Sequence, residues 1–222
     1  MDITNNWEWG SHQPLVNLAL YTFRPELVVE LGIGLYSTPL FLKYNPTALI
    51  CIENNKEWLE YTKTQLLFRP EYELRYHELS PEVTLFTRAR VLEAKNRVAH
   101  FEYYLTVRDE INQTSYTPRL LFVDNFTCLR ALAVNVLNSA FDIILYHDSQ
   151  LEGIAMYNYN FEHLSSEFNF YTFHCSFSWT TCLVRKTLIY DEEKLFRDIQ
   201  PFSEEFCAIY KRNIHELVLL KG

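Results

Sequence analysis

The sequence predicts an α/β protein built on a mostly parallel, doubly wound sheet that ends in an antiparallel hairpin. Three observations carry this. Strand-sized apolar runs alternate with helical segments across short connections. Two glycines, Gly32 and Gly34, stand directly after the first such run. The chain has only five glycines, where average usage would give roughly 15. Near the end, the β-rich runs Phe170–Phe177 and Thr180–Lys186 are separated only by Ser178-Trp179, a hairpin spacing.

Each element has a local reason. Residues 11–23 suit an amphipathic opening helix, with Ser11 as cap and Pro14 in the first turn. Leu27–Leu31 (LVVEL) is a nearly continuous apolar strand, as both covered faces of a parallel sheet require. Ser37 or Thr38 before Pro39 opens a short helix that ends before Pro46. Ala48–Glu53 (ALICIE) is the second strand, and Asn55 starts a helix to about Phe68. The alternating run Tyr72–Leu79 is the third strand. From Ser80 the chain is long, charged and poor in breakers, so residues 82–112 are expected as a helical insertion over the rim. Leu120–Asp124 and Asp142–Tyr146 are the fourth and fifth strands, with a helix through Arg130–Leu137 between them. A helix near Phe161–Phe168 precedes the hairpin, and an amphipathic helix is expected in the tail after Pro201. The whole reads as one domain over 1–222, with its core at 24–186 and a helical tail at about 190–222.

Composition narrows the function classes. Apolar residues make up 48% and charged residues 22%, the profile of a folded globular chain. No apolar run approaches the roughly 20 residues of a membrane span, and the start shows no secretory pattern. A net charge of −8 without a basic cluster argues against a nucleic-acid partner. Five scattered cysteines form neither a disulfide framework nor a zinc spacing and read as small buried hydrophobes. A cytoplasmic protein is expected.

In an open sheet of this kind the ligand sits at the carboxyl ends of the strands, where strand order reverses. That rule gathers Glu30–Ser37, Glu53, Asp124 and His147-Asp148 on one rim. A carboxylate at Glu53, 53 − 34 = 19 positions after the second glycine, can accept both ribose hydroxyls of an adenosine group. Two cofactor classes use a strand, a G-x-G turn, a helix and an acid ending the next strand. A nicotinamide dinucleotide usually wants a third glycine, where this chain has Ser37. S-adenosylmethionine carries a sulfonium and an ammonium, which an acid such as Glu30 favours. The late hairpin points the same way. An NAD-dependent oxidoreductase and a noncatalytic S-adenosylmethionine- or nucleoside-binding module are the alternatives.

The quoted residues carry a resemblance. Trp9-Gly-Ser-His-Gln-Pro-Leu, followed by VVELGIGLYSTPLFL, resembles the opening of class I S-adenosylmethionine-dependent methyltransferases. More narrowly it is similar to the group whose loop reads E-x-G-x-G-x-x-S-T. VDNFTCLRALAV (123–134), LYHDSQ (145–150) and SWTTCLV (178–184) are similar to that group's V-D, H-D and late-hairpin segments. Asn125 stands where the group usually has glycine. The resemblance spans about residues 9–186 and implies a Rossmann-like class I methyltransferase fold. It also implies a sugar hydroxyl or another small molecule as acceptor and, from relatives with V-D and H-D stations, a divalent cation.

Methyl transfer to an alcohol needs an aligned acceptor and a place for its proton. Asp124, His147 and Asp148 are the catalytic candidates. Either His147 serves as base, or Asp124 and Asp148 hold Mg²⁺ or Mn²⁺ against the acceptor oxygen. Gly32, Gly34, Ser37, Thr38, Glu30, Glu53, Asp124 and His12 are the cofactor-binding candidates, His12 reaching the cofactor's carboxylate or the acceptor. Arg130 is expected either as an anchor for an acidic group or as a surface ion pair. Tyr157 and Tyr159 look like an exposed aromatic pair. The remaining histidines (His77, His100, His163, His174 and His215) are expected to be structural.

Overall fold

The structure, a computed structural model, describes residues 10–79, 94–126, 129–150, 157, 159–175, 178–210 and 217–222. Helix α1 (Gln13–Phe23) has Pro14 in its first turn and ends at Arg24 in the left-handed region. Strand β1 (Leu27–Leu31) is buried on both faces. Helix α2 (Thr38–Tyr44), strand β2 (Ala48–Glu53) and helix α3 (Lys56–Gln65) follow, the last capped by the Asn55 side chain, which accepts from the Trp58 N–H. Strand β3 (Glu73–Tyr76) is shorter than the alternating run that predicts it.

Helix α4 (Ala94–Asn112) leads to β4 (Arg119–Val123), α5 (Arg130–Leu137) and β5 (Ile143–His147). A 3-10 turn at Glu162–Ser166 replaces the helix expected near 161–168. Strands β6 (Phe168–His174) and β7 (Thr180–Arg185) form the expected hairpin. Helix α6 (Glu192–Tyr210) begins well before Pro201, which lies inside it. The tail then returns as strand β8 (Val218–Lys221), where the sequence predicts only helix.

All these strands share one sheet, in the order β3-β2-β1-β4-β5-β7-β6-β8. The first five are mutually parallel; β7, β6 and β8 each pair antiparallel with their neighbours. The alternation of a strand builds two cores. Val28, Leu120, Phe122 and Leu145 face α1, α2 and α6, while Val29, Leu31, Leu121 and Val123 face α4 and α5. Chain order reverses between β1 and β4, so the carboxyl ends of those two strands form the crevice.

Helix α4 packs along α5. The earlier part of the expected insertion, through residue 93, lies outside the described residues. No described helix is long and apolar enough to cross a membrane.

Candidate functional site

The glycine turn is held from both sides. Gly32 N–H donates to Ile52 O at 2.8 Å, and Asp124 N–H donates to Leu31 O at 2.8 Å. Gly32 has φ +89°, and a Cβ there would lie 2.4 Å from the Asp124 carbonyl oxygen and 2.7 Å from Asn125 N. Glycine is therefore required for backbone to pass backbone between β1 and β4. At Gly34 a Cβ would meet only the Ser37 hydroxyl, at 2.9 Å.

Ser37 and Thr38, expected as helix caps, turn inward instead. Their hydroxyls donate to the two oxygens of Glu30 at 2.6 and 2.8 Å, and Cys51 Sγ donates at 3.2 Å. Thr38 Oγ1 also accepts the Gly34 N–H at 3.0 Å. Glu30 is fully enclosed. Burial pushes its carboxyl up to about 8, against the pull of the three hydrogen bonds. Its oxygens are thus committed to shaping the loop, where the sequence reading turned them toward a cationic cofactor.

Glu53 ends β2, as expected. Its Oε2 accepts the Ile33 N–H at 3.0 Å, and its Oε1 accepts those of Asn54 and Asn55, both at 2.7 Å. Burial raises its carboxyl above the ordinary range, opposed by those N–H groups. Three of a carboxylate's roughly four acceptor directions are used, which leaves room for one hydroxyl rather than two. The Trp58 indole N–H donates to Ile33 O at 2.7 Å and clamps the same loop to α3.

The second half of the rim is a charge cluster. Arg130, expected either as an anchor or on a helix surface, is buried at the first turn of α5. Its guanidinium reaches Asp124 Oδ1 at 2.7 Å and Asp148 Oδ2 at 2.8 Å, and Nε donates to Asn125 O at 2.8 Å. Asp148 also accepts from Ser178 at 2.6 Å and from Tyr157 at 3.1 Å, and holds a left-handed φ of 59°. Tyr159 donates to His147 O at 3.0 Å. The two tyrosines are therefore buried members of this network, not an exposed pair.

His147, the last residue of β5, is gripped at both ring nitrogens. Nε2 lies 2.9 Å from Ser11 Oγ and 3.0 Å from Ser178 Oγ, while Nδ1 lies 3.4 Å from Asp124 Oδ1 and 3.7 Å from Asp148 Oδ1. Burial pulls its pKa down, but Asp124 and Asp148 outweigh that and raise it above the ordinary value. Both carboxylates answer in kind. Burial raises them, and Arg130 and His147 together hold each below the usual carboxylate range.

Ser11 faces this network and makes no cap, so α1 begins without a side-chain cap. His12 stands beside it, buried, its ring 5.1 Å from those of His147 and Phe122. Burial, with the neighbouring His147 adding to it, lowers its pKa to about 3, so it is neutral. Neither ring nitrogen has a partner among the described residues.

The structure thus divides the predicted residues into two groups. Gly32, Gly34, Glu30, Ser37, Thr38 and Glu53 form the loop; His12, Asp124, His147 and Asp148 form the cluster. Asp124 joins them, because its backbone abuts Gly32. Sequence reasoning missed Ser11 and Ser178 as partners of His147; their positions beside His12 and in the hairpin turn were the available signal. Away from the rim, His77 and His100 form a buried pair 2.8 Å apart, with the His77 ring stacked on Tyr103. His174 stacks on Trp179, and His215 lies outside the described residues.

No protein-family model and no curated sequence matches the chain. Among solved structures it is similar to a methyltransferase-like protein from Silicibacter pomeroyi. The TM-score is 0.51 at 14% identity, over 86% of this chain and 93% of that one. It is also similar to a candidate methyltransferase from Thermobifida fusca, with a TM-score of 0.50 at 12% identity, over 80% and 81% of the two chains. At these identities the likeness shows the fold, that of the class I methyltransferases.

Proposed function

We propose that this chain is an S-adenosylmethionine-dependent O-methyltransferase acting on a small molecule. The observation that carries the reading is the contact of Gly32 with the Asp124–Asn125 peptide, which joins the cofactor-type loop and the charge cluster at one switch point. Glu53 would accept one ribose hydroxyl, and the loop from Gly32 to Ser37 would lie along the cofactor. The bound cofactor supplies an electrophilic methyl on a sulfonium.

The protein's own task is then to align an acceptor oxygen behind that methyl and to accommodate its proton. Asp124, partly buried, and His147, buried beside it, are placed for that work. Asp148 orients them through Arg130 and Ser178. A sugar hydroxyl is the preferred acceptor, on the similarity of the V-D and H-D segments to sugar O-methyltransferases. Mg²⁺ or Mn²⁺ held by Asp124 and Asp148 does not fit, because the Arg130 guanidinium already bridges these two carboxylates.

Calorimetric titration with S-adenosylhomocysteine, with NAD⁺ as the rival ligand, tests the reading. S-adenosylhomocysteine should bind and NAD⁺ should not. Glu53→Ala should weaken binding by about 1.5–3 kcal/mol, the scale of hydrogen bonds to a charged group. Binding of NAD⁺ alone would overturn the assignment, and unchanged affinity in the variant would remove Glu53 from the site.

A further inference from the structure

The segment that leads into α1 touches both halves of the rim. Ser11 bonds to His147, and His12 stands beside that ring. Gln13 turns the other way, and its Nε2 donates to the carbonyl of Tyr36, in the cofactor-type loop, at 3.2 Å. Tyr210, at the end of α6, closes on the same spot. A Cβ at buried Gly10 would lie 3.0 Å from the Tyr210 hydroxyl, 3.2 Å from the Tyr36 ring and 3.4 Å from Gln13 Nε2. We propose that Gln13 and Tyr210 are positioning residues that brace the Tyr36 end of this loop against the amino-acid arm of the bound cofactor. This role rests on the S-adenosylmethionine reading, and neither residue is among the site residues that the sequence predicts.

The parts of the loop are held by different means. At its start Ile33 is fixed twice, its N–H by Glu53 and its carbonyl by the Trp58 indole. At its end Ser37 and Thr38 are held from inside by Glu30. Between these anchors the Tyr36 carbonyl turns to α1, where Gln13 meets it. Gln13 opens that helix, and α1 packs along α6. Two packed helices thus stand behind one backbone carbonyl, and rigid support of this kind keeps a binding loop in its productive place.

Tyr210 completes the brace from the far side. Burial and the nearby Tyr36 raise its hydroxyl above the ordinary pKa, opposed by the Gln13 amide, so a neutral hydroxyl faces the pair. Gly10 is what lets the three side chains meet, because any Cβ there would wedge between Tyr210 and Tyr36. With the ribose on Glu53, the nucleoside lies at the Ile33 end of the loop and the rest of the cofactor runs toward Tyr36. Gln13 and Tyr210 therefore bear on the amino-acid arm and not on the nucleoside.

Two ligands separate those parts. S-adenosylhomocysteine carries the arm, and methylthioadenosine has the same nucleoside and sulfide without it. Both are titrated calorimetrically into the full chain. Gln13→Met keeps the volume but not the donor and should weaken S-adenosylhomocysteine about fivefold, the scale of one neutral hydrogen bond. Methylthioadenosine should bind this variant within about twofold of wild type, since no bond near it is lost. Tyr210→Phe should show the same split more weakly. Gly10→Ala, which drives Tyr36 from Tyr210, should show it too and serves if Gln13→Met does not fold.

Equal losses for the two ligands would mean a merely structural role and overturn the inference. So would unchanged S-adenosylhomocysteine affinity in both Gln13→Met and Gly10→Ala. If neither ligand binds the folded wild type, the cofactor reading falls and this role falls with it. Binding of both to the wild type keeps that reading whatever the variants do, so the two failures are told apart.

Discussion

At Gly32 the chain has no freedom to accept a side chain, and the reason is the neighbouring strand. The missing Cβ is the space that the Asp124 carbonyl fills, so the glycine serves the fold before it serves any ligand. Gly32→Val should therefore be strongly destabilised or insoluble. Gly34→Ala presses only on a movable hydroxyl and should remain folded, with S-adenosylhomocysteine affinity reduced through displacement of Ser37. Thermal unfolding of both variants checks the contrast; equal, wild-type melting would refute it.

Glu30 makes a second prediction at this scale. Its ordinary pKa of 4.5 applies to the unfolded chain, and about 8 applies inside the fold. Between those values the native state keeps a proton that the unfolded state has released. The contribution to stability is full below pH 4.5 and declines as pH rises toward 8. Hydroxyls can reverse as donors or acceptors, so Ser37 and Thr38 serve the neutral acid too. Glu30→Gln should flatten the fall in unfolding free energy between about pH 5 and 8. Urea titrations at several pH values measure it, and an unchanged slope would show that Glu30 ionises normally.

On the scale of elements, α5 matters through its first residue. Arg130 neutralises carboxylates that arrive from the ends of two different strands, β4 and β5. Removing one partner of a buried ion pair leaves an uncompensated charge, which typically costs about 3–5 kcal/mol. Arg130→Met should lose stability on that scale in denaturant unfolding, and adding Asp148→Asn should restore part of it. If the double variant is no more stable than the single one, the network is not held by charge. The helix itself was legible from its apolar spacing. The burial of its arginine was not, because a single arginine beside an apolar face looks the same whether it faces solvent or a crevice. Ser11 was misread for a related reason: serine before a helix is normally a cap, and here a long-range bond to His147 displaces that local preference.

For the molecule as a whole, the parallel strands and the late hairpin follow from features visible along the chain. Apolar runs such as LVVEL and ALICIE marked buried parallel strands, and short connections fixed their winding. The rim residues were legible because the switch-point rule depends on strand ends, which the runs located well. What the order of residues could not show was who occupies whose lone pairs. Glu30 and Glu53 look equally available in the sequence, yet three donors each draw them into the loop. Strand β8 also escaped notice, since four residues near a chain end, with one buried position, carry little periodicity.

That last strand has a consequence for how the molecules behave in company. The segment FNFYTFH of β6 is aromatic and carries no acidic or lysine side chain, and among the described residues only Val218–Lys221 pairs along its outer side. Lys221, at the outermost strand, also reaches Glu192 at 2.7 Å, anchoring the end of the chain to α6. A bare aromatic edge with its hydrogen-bonding groups free is a template for a strand from another molecule, and a covering strand that ends in a lysine discourages it. Strand β8 thus covers that aromatic edge with a strand of its own. Deleting 217–222 should yield a protein that gathers into larger species as concentration rises, while Lys221→Ala should do so only weakly. Light scattering over a dilution series distinguishes these, and a truncated chain that stays as dispersed as the intact one would mean that β6 protects itself.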